Sequence, residues 1–123
     1  MKQIISEKAP AAIGPYSHAY VTIGGLVYTS GQIPSYPDGS PMDEGIEAQA
    51  HQSCRNVGAV LEAAGTDYAH VVKTTCFLVD MADFAVFNKV YAEYFTSRPA
   101  RSCVAVKTLP AGALCEIEAI AEL

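Results

Sequence analysis

A helix pattern with one apolar face occupies the middle of the chain, and strand patterns flank it on both sides. From residue 46 to residue 64, apolar side chains recur at steps of three and four, as they do on the buried face of a helix. Polar residues, including Gln49 and Gln52, fall outside that face, and Gly65 is placed to end the helix. A second helical pattern runs from about residue 82 to residue 95.

Six segments rich in β-branched and apolar residues are predicted to be strands. They span residues 2–6, 19–23, 26–30, 71–79, 102–106 and 114–123. Gly24 and Gly25 separate the second segment from the third, and a two-residue glycine linkage favours a hairpin with a primed turn. The resulting order, βββαβαββ, predicts an α+β fold in which a six-stranded sheet carries both helices on one face.

The last strand segment predicts which side chains share a face of the sheet. With the two-residue period of a strand, Glu116 and Glu118 lie on one face, whereas Cys115 and Ile117 lie on the other. Two helices can cover only one side of six strands, and the side with the two acids also carries apolar residues. Burial of that side between subunits is the simplest physical solution, so the sequence predicts an oligomer.

Length and composition agree with one domain that associates with other copies. The 123 residues are close to the commonest domain size, and we predict a single domain over residues 1–123. Half of the residues are hydrophobic, 17% are charged, and the mean hydropathy is +0.18. These values are high for a monomer of this size and favour a buried subunit interface.

The distribution of charge argues against two classes of partner. Eight lysine and arginine residues are spread along the chain against thirteen acidic residues, which gives a net charge of −5. No basic stripe is available for a phosphate backbone, so we expect no nucleic acid partner. No run of apolar residues is long enough to cross a bilayer, so we expect no membrane partner either.

Arg101 and Glu116 are the leading candidates for chemistry. Arg101 leads from a loop into an apolar strand, where its guanidinium offers a planar fork for a carboxylate or a phosphate. A solvated arginine at the end of a loop is an equally good interpretation. Glu116 and Glu118 are costly on an otherwise apolar face unless something pairs with them, so one acid could pair with a cation while the other holds a water. An ion pair buried in an interface explains these acids as well.

The cysteines are predicted to be reduced core thiols and not metal ligands. Cys54, Cys76, Cys103 and Cys115 are widely spaced inside apolar runs, without a CxxC pair. We therefore expect no metal and a cytoplasmic location. A nucleophilic role for Cys103 is conceivable because it shares a strand face with Arg101, but a cysteine in an apolar strand is usually core.

Three further segments carry weaker signals. His51 and His70 are predicted to be solvated. The segment GPYSHA, residues 14–19, suits a pocket wall or an ordinary loop. Residues 30–32, at the end of a hairpin strand, could leave backbone N–H groups free to donate.

Five stretches of the chain form a recognisable set. They are APAAIGPYSHA near the start, YTSGQIP at 28–34, VVKTTCFLVDMADFAVFNKVY at 71–91, RPARSCVAV at 98–106 and LPAGALCEIEAIA at 109–121. Together they closely resemble the RidA family, the YjgF-like deaminases of reactive enamines and imines. The resemblance covers essentially the whole chain, and the combination of RPARS with EIEAIA is highly specific.

This resemblance implies a chorismate-mutase-like α+β fold that assembles as a homotrimer, with three ligand clefts at subunit boundaries. It implies hydrolysis of 2-imino acids and enamines, such as 2-iminobutanoate and 2-iminopropanoate, to 2-oxo acids and ammonia, without a cofactor. Arg101 would bind the substrate carboxylate, and Glu116 would position and deprotonate the attacking water. The backbone around Cys103 and Gly31 would add hydrogen bonds. Three further residues match those that line the family's cleft: Tyr16, Ser30 and Asn88.

Two departures from the family pattern bear on the size of the substrate. His18 stands where relatives often carry glutamine, and the loop of residues 96–98 is shorter than in several relatives. Two alternative functions stay open. One is a trimer that binds small carboxylates or acts as a chaperone without catalysis, and the other is a deaminase of another enamine, such as an aminoacrylate.

Overall fold

Six strands form one mixed sheet in the computed structural model, which describes residues 1–123. The strands are β1 (Lys2–Ile4), β2 (Ala19–Val21), β3 (Leu26–Thr29), β4 (Val71–Leu78), β5 (Ala100–Ala105) and β6 (Cys115–Glu122), and the helices are α1 (Ile46–Ala64) and α2 (Phe84–Tyr94). The sheet order is β1-β2-β3-β6-β4-β5, and only β4 and β5 run parallel. The predicted order βββαβαββ and the α+β class are confirmed.

Both helices pack on the same face of the sheet, as predicted. Ser53 of α1 lies 3.6 Å from the Cys115 sulfur, and Tyr91 of α2 shares a hydrogen bond of 2.7 Å with Thr74. Thr74 is the cross-strand neighbour of Ala119, so all these contacts lie on the face of the odd-numbered β6 residues. The side chains of this face are buried with those of the helices in one core cluster.

The opposite face of the sheet, here termed the open face, combines acids with exposed apolar side chains. Tyr28 pairs with Tyr20 on one side and with Ile120 on the other. Tyr20 is 38% exposed, and Tyr28 and Val104 are each 46% exposed. These are large exposed fractions for apolar side chains of this size. Glu116 and Glu118 lie among them, as the alternation in the sequence predicts.

The turn between β2 and β3 differs from the prediction. Thr22 N–H donates to the Leu26 carbonyl at 2.8 Å, and Gly25 N–H donates to the Thr22 carbonyl at 3.0 Å. Of the two glycines only Gly25 has a positive φ, of 88°, whereas a primed turn needs one at Gly24. The connection is therefore a three-residue loop with a left-handed glycine at its end, so the predicted hairpin is right and the predicted turn type is wrong.

Gln49 and Gln52 are buried, contrary to the prediction. Gln49 Nε2 donates to the Asp43 carbonyl at 2.9 Å, and its Oε1 accepts from Leu114 N–H at 2.8 Å. Gln52 Nε2 donates to Asn56 Oδ1 at 2.9 Å. Apolar spacing misses these residues because an amide can be buried at small cost once it is hydrogen-bonded.

Strand β5 begins two residues before its predicted start. Ala100 and Arg101 already pair with Lys73 and Thr74 of β4. Pro99, which cannot donate to a ladder, comes just before this pairing. Arg101 therefore lies inside the strand and not at its mouth, so strand geometry fixes the direction of its side chain.

A glycine in the middle of α1 makes room for Tyr68. The Tyr68 hydroxyl donates to the Cys54 carbonyl at 2.7 Å, and a Cβ on Gly58 would lie 2.6 Å from the ring carbon that carries this hydroxyl. Alanine in a helix interior is normally more stable than glycine by about 1 kcal/mol. We expect Gly58→Ala to lower the free energy of unfolding by about 2 kcal/mol instead, because the ring must move. Urea unfolding at fixed protein concentration measures the difference.

The same substitution in a Tyr68→Ala background tests this cause. Without the ring we expect Gly58→Ala to raise the free energy of unfolding, so the sign of the effect reverses. Equal destabilisation in both backgrounds would show that Tyr68 is not the obstacle.

Candidate active site

Arg101 lies on β5, where side chains of α2 hold its guanidinium group. Its Nη1 donates to Asn88 Oδ1 at 2.7 Å. The guanidinium carbon lies 4.8 Å from the centre of the Tyr91 ring and 5.5 Å from that of Phe84. The ring contacts and the hydrogen bond orient the planar fork, and a fixed fork is suited to bidentate recognition of a carboxylate.

Arg101 also lines an open cavity of about 580 Å³ at the start of β5. The rest of the lining comes from α2 and the loop after it: Asn88, Tyr91, Ala92, Phe95, Thr96, Arg98 and Pro99. The three ion pairs of the chain involve other residues, and Asn88 is the only hydrogen-bond acceptor of the Arg101 side chain. Its remaining N–H groups are therefore available to an anion.

The backbone of β5 adds donors at the edge of the sheet. Val106 N–H donates to the Leu78 carbonyl of β4 at 2.7 Å. Because alternate residues of a strand point their N–H groups to opposite sides, those of Arg101 and Cys103 point away from β4. An edge strand leaves such groups unpaired. A backbone donor at Cys103 thus lies on the same strand as the guanidinium fork.

The Cys103 thiol is poorly suited to be a nucleophile. Burial raises its pKa, and the nearby Arg101 charge offsets only part of that rise. The reactive form is the thiolate, and a raised pKa keeps the thiol protonated near neutral pH. Burial raises the pKa of Cys76 to about 12 and that of Cys115 to about 11. Of the four predicted core thiols, only Cys103 is not fully buried.

Glu116 lies on the open face of β6, directly against Gly31. A Cβ atom on Gly31 would be 2.6 Å from Glu116 Oε1 and 2.8 Å from its Cδ, so only a glycine leaves room for this carboxyl position. Burial raises the pKa of the Glu116 carboxyl, and the negative charge of Glu118 raises it further. A raised pKa makes a carboxylate a stronger base, which suits a group that accepts and returns a proton.

The loop at Gly31 is held to β6 and α1. Gln32 and Ile117 exchange two backbone hydrogen bonds, of 2.8 and 3.1 Å. Asn56 on α1 donates to the Ile33 carbonyl at 3.0 Å. The Gly31 N–H itself donates to no acceptor in the chain, so it is free for a ligand.

Ser30 ties the segment that carries Tyr16 to the end of β3. Its hydroxyl donates to the Ser17 carbonyl at 2.5 Å, and its N–H donates to the His18 carbonyl at 2.8 Å. Tyr16 is half-exposed and lines one groove together with Ser30 and a second groove together with Gly31. These three predicted site residues therefore lie close together in the structure.

His18 is buried, and both of its ring nitrogens are used. Nδ1 accepts from Ser6 N–H at 2.8 Å, and Nε2 lies 2.7 Å from the Pro10 carbonyl oxygen. Acceptance at Nδ1 leaves the proton on Nε2, which gives a neutral ring that donates to Pro10. His18 thus has a structural role, because it links two parts of the N-terminal segment. Tyr16 lies two residues before it in the chain.

His51 is not solvated, contrary to the prediction, whereas His70 is. His51 Nδ1 lies 2.8 Å from the Tyr94 hydroxyl, and Nε2 lies 3.7 Å from the Glu93 carboxylate. The packing of α1 against α2 half-buries this ring, an effect that one helix pattern cannot predict. His70 is exposed and pairs with Asp67 at 2.7 Å.

The predicted site residues form two half-sites on opposite faces of the sheet. Arg101 is the cross-strand neighbour of Thr74, on the face that the helices cover. Glu116 is the cross-strand neighbour of Phe77, on the open face. The Arg101 half-site consists of Arg101, Asn88 and Cys103, and the Glu116 half-site consists of Glu116, Gly31, Ser30 and Tyr16. One chain therefore does not bring Arg101 and Glu116 together.

The sequence does not predict the aromatic residues that hold Arg101. Phe84, Asn88 and Tyr91 are spaced i, i+4 and i+7, so they share one face of α2. Apolar periodicity assigns Phe84 and Tyr91 to the core and says nothing about an arginine. The polar Asn88 between them, on the same face, is the signal that could have indicated a site.

The cysteines are all free, and no group of three or more His, Cys, Asp or Glu side chains is arranged to hold a metal ion. Neither helix combines the length and the apolar character needed to cross a membrane.

Comparison with known proteins identifies the class of protein to which this fold belongs. A family model described as Endoribonuclease L-PSP matches residues 6–123. A protein of Salmonella typhimurium named 2-iminobutanoate/2-iminopropanoate deaminase is 50% identical over 98% of this chain and 96% of its own length. The crystal structure of Escherichia coli TdcF with bound serine has a TM-score of 0.94 at 42% identity, over 100% of this chain and 99% of that one. The chain belongs to the YjgF/RidA family, which confirms the resemblance seen in the sequence.

Proposed function

We propose that this protein hydrolyses 2-imino acids and their enamine tautomers, such as 2-iminobutanoate and 2-iminopropanoate, to 2-oxo acids and ammonia. The observation that carries the proposal is the near-full-length match, at 50% identity, to a protein named for that activity. The chain also holds an arginine fork with free donors and a carboxyl group with a raised pKa. A protonated imine is already electrophilic, so a positioned water and a fixed carboxylate suffice for hydrolysis.

In this proposal the Arg101 half-site binds the substrate. Two guanidinium N–H groups bind the substrate carboxylate, while Asn88 and Tyr91 hold the guanidinium group in its orientation. The backbone N–H groups of Cys103 and Gly31, which have no acceptor in the chain, add hydrogen bonds. Binding places the imine carbon next to the carboxyl group of the other half-site.

Glu116 acts first as a general base and then as a general acid. Its carboxylate takes a proton from a water molecule as the water oxygen bonds to the carbon of the protonated imine, which gives a carbinolamine. The Glu116 carboxyl then protonates the amino nitrogen. The C–N bond breaks, ammonia leaves, and the hydroxyl proton passes to the carboxylate and on to solvent as the 2-oxo acid forms.

We propose that the two half-sites meet between copies of the chain in a homotrimer. The exposed apolar side chains of the open face support this assembly, since a second copy would bury them. The placement of Arg101 and Glu116 on opposite faces supports it too, because a complete site then needs one half from each of two subunits. Asn88 would line the shared cleft on one side, and Tyr16 and Ser30 on the other.

A cytoplasmic location is part of the proposal. All four cysteines are unpaired, and three of them are fully buried. Thiols persist in the reduced form in the cytosol, whereas oxidising compartments favour disulfides.

The test is the release of 2-oxobutanoate and ammonia from enzymatically generated 2-iminobutanoate, with the spontaneous rate subtracted. We expect the protein to raise the rate. No increase from a verified oligomer would overturn the proposal and favour a carboxylate-binding role or the deamination of an enamine outside this class. The same preparation is also tested for cleavage of single-stranded RNA, because the matched family model is described as an endoribonuclease. We expect no RNA cleavage, since the net charge of −5 repels a phosphate backbone.

The pH dependence of the reaction tests the role of Glu116. A general base must be ionised, so kcat/KM should fall as the pH decreases through the pKa of Glu116, which burial and the charge of Glu118 hold above its usual range. Glu118→Gln removes the negative neighbour, so we expect this fall to shift to lower pH. The measurement is the pH profile of kcat/KM for both proteins after subtraction of the spontaneous rate. An identical profile in Glu118→Gln would assign the titration to a different group.

A further inference from the structure

A second arginine lines the Arg101 cavity, and its backbone conformation is unusual. Arg98 has a φ of 55°, in the left-handed region that residues other than glycine seldom adopt. Its N–H donates to the Phe95 carbonyl at 3.1 Å, which closes the turn after α2. The only other such residue in the chain is Ala111. Conformations of this kind concentrate at functional sites, where the surrounding structure holds them in place.

The cavity carries two positive charges and no negative one. Arg98 and Arg101 both line it, and none of its other lining residues is an aspartate or a glutamate. The Arg98 side chain takes part in none of the chain's ion pairs. This concentration of positive charge stands out in a chain whose net charge is −5. Positive charge around a cavity that holds no counter-ion attracts an anionic ligand.

The short loop keeps the two arginines near each other. Only residues 96–98 separate Phe95, at the end of α2, from Pro99, and Arg101 is the second residue of β5. Arg101 is held by α2, whereas Arg98 is exposed and free to turn towards a ligand. In a single chain the open cavity of about 580 Å³ reaches both arginines.

We propose that Arg98 recognises a second anionic group, so that the site binds dicarboxylic 2-imino acids more tightly than monocarboxylic ones. The inference rests on the proposed function, in which Arg101 binds the carboxylate next to the imine. Arg98 then binds the carboxylate at the far end of the substrate side chain. An arginine is suited to this role because its planar fork matches a carboxylate. Arg98 is a specificity-determining residue in this scheme and takes no part in the hydrolysis.

Two stable 2-oxo acids with the same carbon skeleton, 2-oxoglutarate and 2-oxopentanoate, test the proposal by titration calorimetry. We expect the wild-type protein to bind 2-oxoglutarate about 10- to 100-fold more tightly, the usual effect of one charge-assisted contact. Arg98→Gln should remove this preference by weakening the binding of 2-oxoglutarate much more than that of 2-oxopentanoate. Arg98→Lys keeps the charge and should keep part of the preference. As a matched control, Lys2→Gln removes one positive charge from β1, at the opposite edge of the sheet, and should change neither affinity.

The outcomes separate this inference from the function on which it rests. Equal affinity of the wild-type protein for both acids, a preference that survives Arg98→Gln, or no binding of either acid overturns the role of Arg98. Turnover of 2-iminobutanoate is measured in the wild-type protein and in Lys2→Gln, and we expect both to show it. If the preference depends on Arg98 but no imine is hydrolysed, the proposed deaminase activity fails and the anion site remains.

Discussion

Replacing Arg101 with alanine is expected to lower kcat/KM for 2-iminobutanoate by about 100- to 1,000-fold, the combined effect of two charge-assisted hydrogen bonds. Alanine supplies neither a charge nor a donor to the substrate carboxylate. The affinity for the unreactive product 2-oxobutanoate should weaken by a similar factor, because the contact is already present in the bound ground state. The measurements are steady-state release of 2-oxobutanoate and calorimetric titration.

Lys89→Ala is the matched control for this substitution. Lys89 follows Asn88 on α2, is exposed and forms no ion pair, so its removal takes away the same charge without touching the fork. We expect it to leave kcat/KM unchanged. Oligomeric state and circular dichroism are compared for both variants. If Arg101→Ala loses its assembly but keeps its activity per assembled site, Arg101 is a structural residue and the proposed site is misplaced.

Gly31→Ala is expected to lower kcat about 100-fold, the lower end of what loss of a general base costs. The φ of Gly31 is not positive, so its backbone accepts an alanine. The new Cβ would lie 2.6 Å from Glu116 Oε1, and the carboxyl group must move away from the position that activates water. Because the Gly31 N–H remains, the affinity for 2-oxobutanoate should change much less than kcat. Steady-state kinetics and calorimetry measure the two effects separately.

Two further variants test whether Gly31→Ala acts through Glu116. Gly24→Ala is the matched control, since Gly24 also lacks a positive φ and its nearest neighbour, the Thr22 hydroxyl, would be 3.9 Å from the new Cβ. We expect it to keep full activity. In a Glu116→Gln background, Gly31→Ala should cause little additional loss, because the carboxyl group that it displaces is already absent. Fully additive losses would mean that the alanine disturbs a different group.

Local patterns in the sequence predict much of the fold and one half of the site. The two-residue period of β6 assigns Glu116 to the less buried face, and the helix pattern with Gly65 assigns the bounds of α1. Both features depend on neighbouring residues alone. The extent of β5 depends on pairing with a strand more than 20 residues away, and for this reason the sequence places Arg101 at a strand mouth and the structure places it inside the strand.

The burial of polar residues also depends on contacts with distant segments, which a local sequence pattern does not contain. Gln49 is buried because Asp43 and Leu114 supply its hydrogen-bond partners, and His51 is half-buried because Tyr94 packs against it. These partners come from other elements, so apolar spacing within α1 cannot indicate them. The family resemblance predicts which residues matter, but it does not show that Arg101 and Glu116 lie on opposite faces of one sheet.

This opposition has a genetic consequence in the proposed trimer. A chain that lacks the arginine fork still carries an intact carboxyl half-site, and a chain that lacks the carboxyl still carries an intact fork. Two such defective alleles in one cell would produce mixed assemblies in which some clefts combine the two intact halves. Each allele alone would be inactive, whereas together they would complement each other. A gene encodes one chain, but each active site is formed by two.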